Sequence, residues 1–502
     1  MMKTVNTLIF GTIVLLGLIA GANAAAPERS PNIVIIYIDD MGYADIGPFG
    51  AKGYSTPHLD RMAEEGTKFT SFYSAQAVCS ASRASLMTGC YANRIGFYGA
   101  LGPHNKMGLA ERETTIAELC KQKGYATAAF GKWHLGDAMQ FLPLQHGFDE
   151  YFGLPYSNDM WSGPPHRRHD TPLPLIKQNS VVNPEVGPAA QEMLTTWYTE
   201  HAVSFIRRNK EKPFFLYVPH TMVHVPLYVS DKFRGKSGAG LFGDVVEELD
   251  WSVGQILAAI KEEGLDDNTL VMFCSDNGPW LSFGDHAGSA APLREGKGTS
   301  WDGGVREPTL IRWPGHVPAG RTCDAPLMTI DMLPTIASLI GAKLPELKID
   351  GLDICEVITG KSDTSPHDVL YFYYNKNSLE ALRSGKWKLE LPRTYRTMRG
   401  QPVGKEGKMG SYTNLKITRP QLYDLDADPG QQHDVADENP EVLKALLADA
   451  DRMRAELGDD QTKQPGPQRR KPGRVNENAL YPSDPDFPKA FDAKYRPGLK
   501  AK

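Results

Sequence analysis

The apolar residues of this chain fall into short continuous runs rather than alternating ones. Asn32–Ile38 reads NIVIIYI, residues 213–218 read PFFLYV and residues 269–274 read TLVMFC, with shorter runs at 125–130 and 309–313. Runs of this length without polar alternation predict strands covered on both faces, as in a parallel sheet. Helical spacing lies between them. Thr56-Pro57 opens a short helix through Leu59, Met62 and Ala63 that closes at Gly66. Thr115-Ile116-Ala117-Glu118 is a capping box. Val245, Val246, Leu249, Val253, Ile256, Leu257 and Ile260 share a helical face, with Gly264 as the stop. Strands alternating with helices predict an α/β domain. Residues 137–200, rich in Pro, Asn and aromatic side chains, read as long loops above the sheet.

After residues 362–366 the pattern changes. Runs at 369–374, 387–391 and 421–425 predict a small antiparallel sheet, and Asn439-Pro440 opens a helix that ends near Leu457. From Asp459 onward Pro, Gln, Lys and Arg prevail and an irregular tail is expected, with the basic cluster 468–472 solvated. The division predicted is 1–24 as a signal peptide, 31–365 as a catalytic domain, 366–458 as a C-terminal sheet-and-helix subdomain, and 459–502 as tail. The first segment carries Lys3, an apolar run from Leu8 to Ala20 and Ala22-Asn23-Ala24, which predicts cleavage after Ala24 and export to the periplasm or medium. That run is short for a membrane span and no later one is longer, so no transmembrane anchor is expected.

Charge and cysteine content narrow the chemistry. A net charge of −5 with no basic stripe over the body gives no reason to expect nucleic acid. The six cysteines form no C-x-x-C or Cys/His pair, so zinc is not expected, and no disulfide is assigned. The polar residues that follow the apolar runs are more telling. Asp39/Asp40, Lys132/His134, His220/His224 and Asp276/Asn277 each come just after a predicted strand. In open α/β sheets, ligand sites lie beyond the carboxyl ends of the strands. Asp39, Asp40, Asp276 and Asn277 offer only oxygen, which suits a hard divalent cation, Ca2+ before Mg2+. Arg83, Lys132, His134, His224 and Lys297 supply balancing positive charge. A cation among fixed cationic side chains describes a seat for sulfate or phosphate. Cys79 opens a helix, at the positive end of its dipole, and Arg83 lies one turn on along the same face.

Cys79-Ser80-Ala81-Ser82-Arg83 with Leu86-Met87-Thr88-Gly89 resembles the sulfatase signature Cys-x-Pro/Ala-x-Arg…Thr-Gly. Gly124-Tyr125-x-Thr127 with Gly131-Lys132-Trp133-His134 resembles the second signature, and Gly296-Lys297-Gly298 and residues 303–308 match as well. The similarity, to the arylsulfatase A and galactosamine-6-sulfatase types, runs from about Asn32 to about Ala436. It implies an alkaline-phosphatase-like fold, with a mixed, mainly parallel sheet flanked by helices and a smaller C-terminal α+β domain. It also implies hydrolysis of a sulfate ester, of a sulfated carbohydrate or an aryl alcohol. Cys79 would be oxidised to formylglycine by a sulfatase-maturating enzyme, and its hydrate would be the nucleophile and a ligand of one Ca2+ beside Asp39, Asp40, Asp276 and Asn277. Asp276 would be the base, Arg83 and Lys132 would hold the hydrate and the sulfate, and His134 would assist elimination. His224 and Lys297 would bind sulfate and protonate the leaving alcohol, with Ser157 a further sulfate contact. His224 is preferred to His220 because Val225-Pro226 follows it. Ala81 stands where Pro is commoner, and Cys90 where Arg, Lys or Tyr usually follows Thr-Gly. The competing readings are a phosphodiesterase or phosphonate monoester hydrolase of the same superfamily, and an unmatured sulfate or glycan binder. The intact metal and acid/base set speaks against the binder.

Overall fold

The computed structural model describes residues 30–163 and 171–476; the expected signal peptide lies outside them. In chain order the first part comprises β1 (Asn32–Ile38), α1 (Pro57–Glu64), β2 (Thr67–Tyr73), α2 (Cys79–Thr88), β3 (Met107–Gly108), α3 (Ile116–Gln122) and β4 (Ala126–Phe130). There follow β5 (Glu150–Gly153), β6 (Leu175–Lys177), β7 (Ser180–Asn183), α4 (Pro188–Gln191), α5 (Leu194–Arg208), β8 (Phe214–Pro219), α6 (Gly240–Glu262) and β9 (Thr269–Ser275). It closes with α7 (Asp302–Val305), β10 (Arg306–Arg312), β11 (Arg321–Cys323), β12 (Leu327–Met328), α8 (Met332–Ile340) and α9 (Cys355–Ile358).

Eleven of these strands form one sheet in the order β11-β2-β10-β9-β1-β8-β4-β5-β6-β7, with β12 also on β2. Its centre, β9-β1-β8-β4-β5, is parallel. The apolar run of β1 has a simple cause. Ile33, Ile35 and Tyr37 enter the core on one face, with residues of α2, α3 and α8, while Val34, Ile36 and Ile38 enter the other, with residues of α1, α5 and α6. A strand with apolar neighbours on both faces has no solvent side to make polar. Fully burying one such isoleucine contributes about 2 kcal/mol.

The capping box forms as read: Thr115 Oγ1 accepts from the Glu118 N–H at 3.1 Å and Glu118 accepts from the Thr115 N–H at 2.7 Å. The expectation of loops over 137–200 is corrected. Three strands there extend the sheet edge, and α5 starts at Leu194. These strands have three or four residues each, too few to show a period. For α5 the signal was present, since Leu194, Tyr198, Ala202, Phe205 and Ile206 are buried at helical spacing.

The second part comprises β13 (Leu370–Tyr374), β14 (Ser378–Ser384), β15 (Trp387–Glu390), β16 (Arg393–Thr397), β17 (Thr413–Ile417), β18 (Gln421–Asp424), α10 (Pro440–Leu457) and β19 (Gly473–Arg474). The antiparallel sheet runs β13-β14-β15-β18, and β16-β17 is a separate ribbon. α10 sends Leu446, Ala450, Met453 and Leu457 into a core shared with β13 to β15. The basic cluster 468–472 is not wholly solvated. Arg470 donates to both oxygens of buried Glu113, at 2.8 and 2.7 Å, and β19 pairs with β3. A buried carboxylate needs such a partner, which draws this segment onto the first part.

Candidate active site

Four adjacent parallel strands, β9, β1, β8 and β4, end at one edge and deliver the polar residues that the sequence places after them. In the register of β1 on β9, Ile38 lies opposite Ser275, so Asp39 and Asp276 leave the sheet side by side. Asp40 is held there by its N–H, which donates to Asp276 Oδ1 at 3.2 Å, and it adopts φ 62°, as does His134. Non-glycine residues in that region are uncommon and concentrate where structure serves chemistry. Gly131, at φ 141°, lets the chain turn into Lys132, since a Cβ would sit 1.9 Å from the Pro219 carbonyl oxygen.

Every residue of α2 is buried, and the Ser and Ala side chains of its sequence are what allow a helix to be enclosed on all sides. No side chain caps its N-terminus, where Val78 is the N-cap and Cys79 the first residue. The opening N–H groups therefore have no helical acceptor and add positive character around Cys79. Burial pushes the Cys79 thiol up, so the unmodified side chain is a protonated thiol at neutral pH and a weak nucleophile.

The charged groups interlock. Arg83 Nε donates to Asp276 Oδ2 at 2.9 Å, its Nη2 lies 2.8 Å from the same oxygen, and its Nη1 donates to the Lys132 carbonyl at 3.0 Å. Lys132 Nζ donates to Asp39 Oδ2 and, at 3.2 Å, to Ser157 Oγ. Lys297 Nζ donates to both oxygens of Asp40, at 2.6 and 2.8 Å. All these side chains are at most 7% exposed. Burial works to raise Asp39, yet Lys132, with Arg83, holds it below the usual carboxylate range. Burial and then the neighbouring Asp39 push Asp276 up to about 7.

The two histidines are neutral bases with defined tautomers. His224 Nδ1 lies 2.6 Å from the Val225 carbonyl, which can only accept, so the proton sits on Nδ1 and the Nε2 lone pair faces Ser157 Oγ at 3.4 Å and Asp40 Oδ2 at 3.6 Å. Burial lowers it to about 4. His134 Nε2 donates to the Leu101 carbonyl at 2.7 Å, leaving Nδ1 buried without a partner, and burial and then Lys132 lower this ring well below its ordinary value.

Residues with metal-ligand chemistry converge as well. Asp39, Asp40 and His224 bring ligand atoms within 4.8 Å of one another. Asn277 Nδ2 donates to Asp40 Oδ1 at 2.8 Å and to the Gly278 carbonyl at 2.9 Å, which fixes the amide and leaves Oδ1 without a donor. Asp39 Oδ1 is also buried without a donor. Two orphaned oxygen acceptors among three carboxylates fit a hard divalent cation. The three carboxylates are matched one for one by Arg83, Lys132 and Lys297, so such a cation would leave the pocket net positive toward an anionic ester.

The structure thus gathers Asp39, Asp40, Cys79, Arg83, Lys132, His134, Ser157, His224, Asp276, Asn277 and Lys297 at one strand edge. It places His220 elsewhere: Nε2 lies 3.1 Å from Ser252 Oγ of α6, and the ring packs on Tyr198 of α5. Trp280 was not foreseen. Its ring meets His224 edge-on at 5.6 Å and lies 4.8 Å from Lys297 Nζ. The clue was its position, three residues after Asn277 at the same strand end. Arg396, from the second part of the chain, was also missed; it donates to the Lys297 carbonyl.

Residues 31–342 match the family model described as Sulfatase, and residues 365–477 match that of the C-terminal region of aryl-sulfatase. Arylsulfatase A of Bos taurus is 37% identical over 454 residues, covering 86% of this chain and 88% of that protein. N-acetylgalactosamine-6-sulfatase of Canis lupus familiaris is 37% identical over 456 residues, covering 85% and 86%. Among solved structures, the PsFucS1 sulfatase from Pseudoalteromonas sp. superposes with a TM-score of 0.74 at 28% identity, covering 84% of this chain and 90% of that one. The phosphonate monoester hydrolase of Agrobacterium radiobacter, at 18% identity and a TM-score of 0.59, covering 85% and 95%, shares the fold.

Proposed function

The chain belongs to the sulfatase family, within the alkaline phosphatase superfamily, and is a sulfuric ester hydrolase; from that premise we propose that it is an exported enzyme using formylglycine at position 79 and one Ca2+ to desulfate a carbohydrate or aryl sulfate. The observation that carries this is the meeting of Cys79, Arg83, Lys132 and Asp276 beneath the uncapped end of α2. The division into a catalytic domain over 31–365, a subdomain over 366–458 and a tail is kept as part of the reading; the start of the second family match at 365 supports its middle boundary, while that match runs on to 477. Among the described residues no helix is long and apolar enough to cross a membrane.

Asp39, Asp40, Asp276 and Asn277, with residue 79, would hold the Ca2+, which would supply Lewis-acid charge toward the sulfate ester. Formylglycine, made by a maturating enzyme, supplies a hydrated aldehyde in place of a weakly nucleophilic thiol. The chain's own groups do the rest. Asp276 Oδ2, already in contact with Arg83, takes the proton from the attacking hydroxyl. Arg83 and Lys132 hold residue 79 and the sulfate, and Ser157 adds a hydroxyl donor. Lys297, an ammonium, binds sulfate and delivers a proton to the departing alcohol. His224 shares both roles only after its Nε2 lone pair has taken a proton from solvent as the anionic ester binds, which makes that nitrogen a donor. His134, with its free Nδ1, accepts the proton released when sulfate is expelled. Fixed donors aimed at a developing oxyanion in a dry site are the largest single contribution to rate in such chemistry.

The test is mass spectrometry of the peptide containing residue 79, from protein made in a host with a maturating enzyme, beside turnover of matched 4-nitrophenyl sulfate and phosphate. Formylglycine, preference for the sulfate and loss of turnover in Cys79→Ala are expected. Turnover by a chain whose residue 79 is an unmodified thiol would overturn the nucleophile.

A further inference from the structure

Residues 393–419, the ribbon β16-β17 and its long connection, carry seven Arg or Lys residues and a single acidic one, Glu406. The whole chain holds 55 basic and 60 acidic residues, so this stretch runs against the composition around it. Two of the seven are spent within the fold: Arg393 on Glu380 and Glu390, Arg419 on Asp434 and Asp437. Arg399 donates to the neutral Gln432. Lys405, Lys408 and Lys416 are exposed, and no carboxylate among the described residues pairs with them.

The ribbon is joined to the active site. Arg396 stacks on Tyr412 at 4.4 Å and donates to the carbonyl of Lys297, whose ammonium holds Asp40. Gly298, at φ 77°, leaves room for it, since a Cβ there would lie 2.3 Å from the guanidinium. In the ribbon's register Arg396 faces Asn414 and Lys416 faces Thr394, so Arg396 and Lys416 share one face. The connection carrying Lys405 and Lys408 docks through the Gly404 and Gly410 N–H groups on the Ser282 carbonyl, two residues past Trp280, which borders His224 and Lys297.

We propose that this ribbon is a binding surface for the rest of a sulfated polysaccharide, engaging anionic groups of the chain outside the sugar whose sulfate enters the pocket. The proposal rests on the carbohydrate form of the function read above. Unpaired cations on a ribbon bonded to the backbone of Lys297 and Ser282 attract a repeating anion far more than a single aryl sulfate.

The experiment uses the full chain with Lys405→Gln, Lys408→Gln and Lys416→Gln combined, all exposed and outside the catalytic set. Binding of dextran sulfate is measured at several salt concentrations, with neutral dextran as control, beside kcat/KM for 4-nitrophenyl sulfate. The dissociation constant for dextran sulfate is expected to rise at least about tenfold, with a shallower salt dependence, while kcat/KM for the small ester stays unchanged. An unchanged dissociation constant would overturn the proposal, as would a parallel loss of small-ester turnover. Binding of a duplex oligonucleotide as tight as that of dextran sulfate would reassign the surface and overturn it too. Because binding needs no turnover, this result stands apart from any failure of the proposed chemistry.

Discussion

Asp276 joins three demands: it pairs with Arg83, neighbours Asp39 and belongs to the proposed metal set. Without a cation it is pushed up to about 7, from an ordinary value of 3.8. Between pH of about 4 and about 7 the folded chain therefore keeps a proton here that the unfolded chain has released. Stability from this group is present at the low end of that window and is lost as pH rises through it. Chelator-treated protein should lose up to about 1.4 kcal/mol per pH unit at this residue. Asp276→Asn should flatten that part of the slope, and added Ca2+ should restore wild-type stability at pH 8. Urea denaturation of both proteins at pH 5 and 7.5 measures it; identical slopes would show that Asp276 is not the group responsible. Asp39, Asp40, Lys132, His134, His224, Asp276 and Asn277 were readable from sequence because each follows an apolar run, and Arg83 and Lys297 because each lies in a motif of the resemblance. Trp280 was not, since a lone aromatic after a strand carries no chemical pattern until His224 and Lys297 are found beside it.

The element on which the site depends is α2, uncapped at one end and closed at the other by Gly89 in the left-handed region. Ala81 is its third residue, so its N–H is one of those without an acceptor inside the helix. Proline is tolerated in a first turn for that reason. Ala81→Pro should shift Tm by less than about 3 °C and leave modification of Cys79 intact. Ala84→Pro, inside the hydrogen-bonded ladder, should cost about 3 kcal/mol or more. Thermal unfolding with mass analysis of residue 79 compares them, and equal damage from the two would mean that packing around α2, not its backbone, sets the tolerance. The helix was foreseen from its small-residue opening and Leu/Met pattern. Its complete enclosure was not, because Ser and Ala are as common on exposed helices; only the layers around it exclude water from Arg83 and Cys79.

Across the molecule, the two parts are joined by buried charge. Lys388 of β15 donates to Asp302 Oδ1 at 2.8 Å with both side chains fully buried, and Tyr73 of β2 donates to Oδ2 at 2.8 Å. Burial would raise Asp302, but Lys388 and Arg306 hold it down to about 2. Lys388→Met should cost about 3 kcal/mol, because it strands a buried carboxylate, and adding Asp302→Asn should recover most of it. Urea denaturation decides between this and a passive contact, for which the single variant would cost under about 1 kcal/mol. At this scale the amino-acid sequence alone determined the α/β class, the second antiparallel layer, the strand ends that hold the polar residues, and the resemblance carried by residues 79–89 and 124–134. Those properties are local, resting on residues next to one another and on the period of a strand or helix. Tertiary structure alone decided that Trp280 borders His224 and Lys297, that Arg396 reaches Lys297 across 99 positions, and that Arg470 folds onto Glu113. Each of these is set by desolvation and partner choice between residues far apart in the chain, and a periodic pattern holds no record of them.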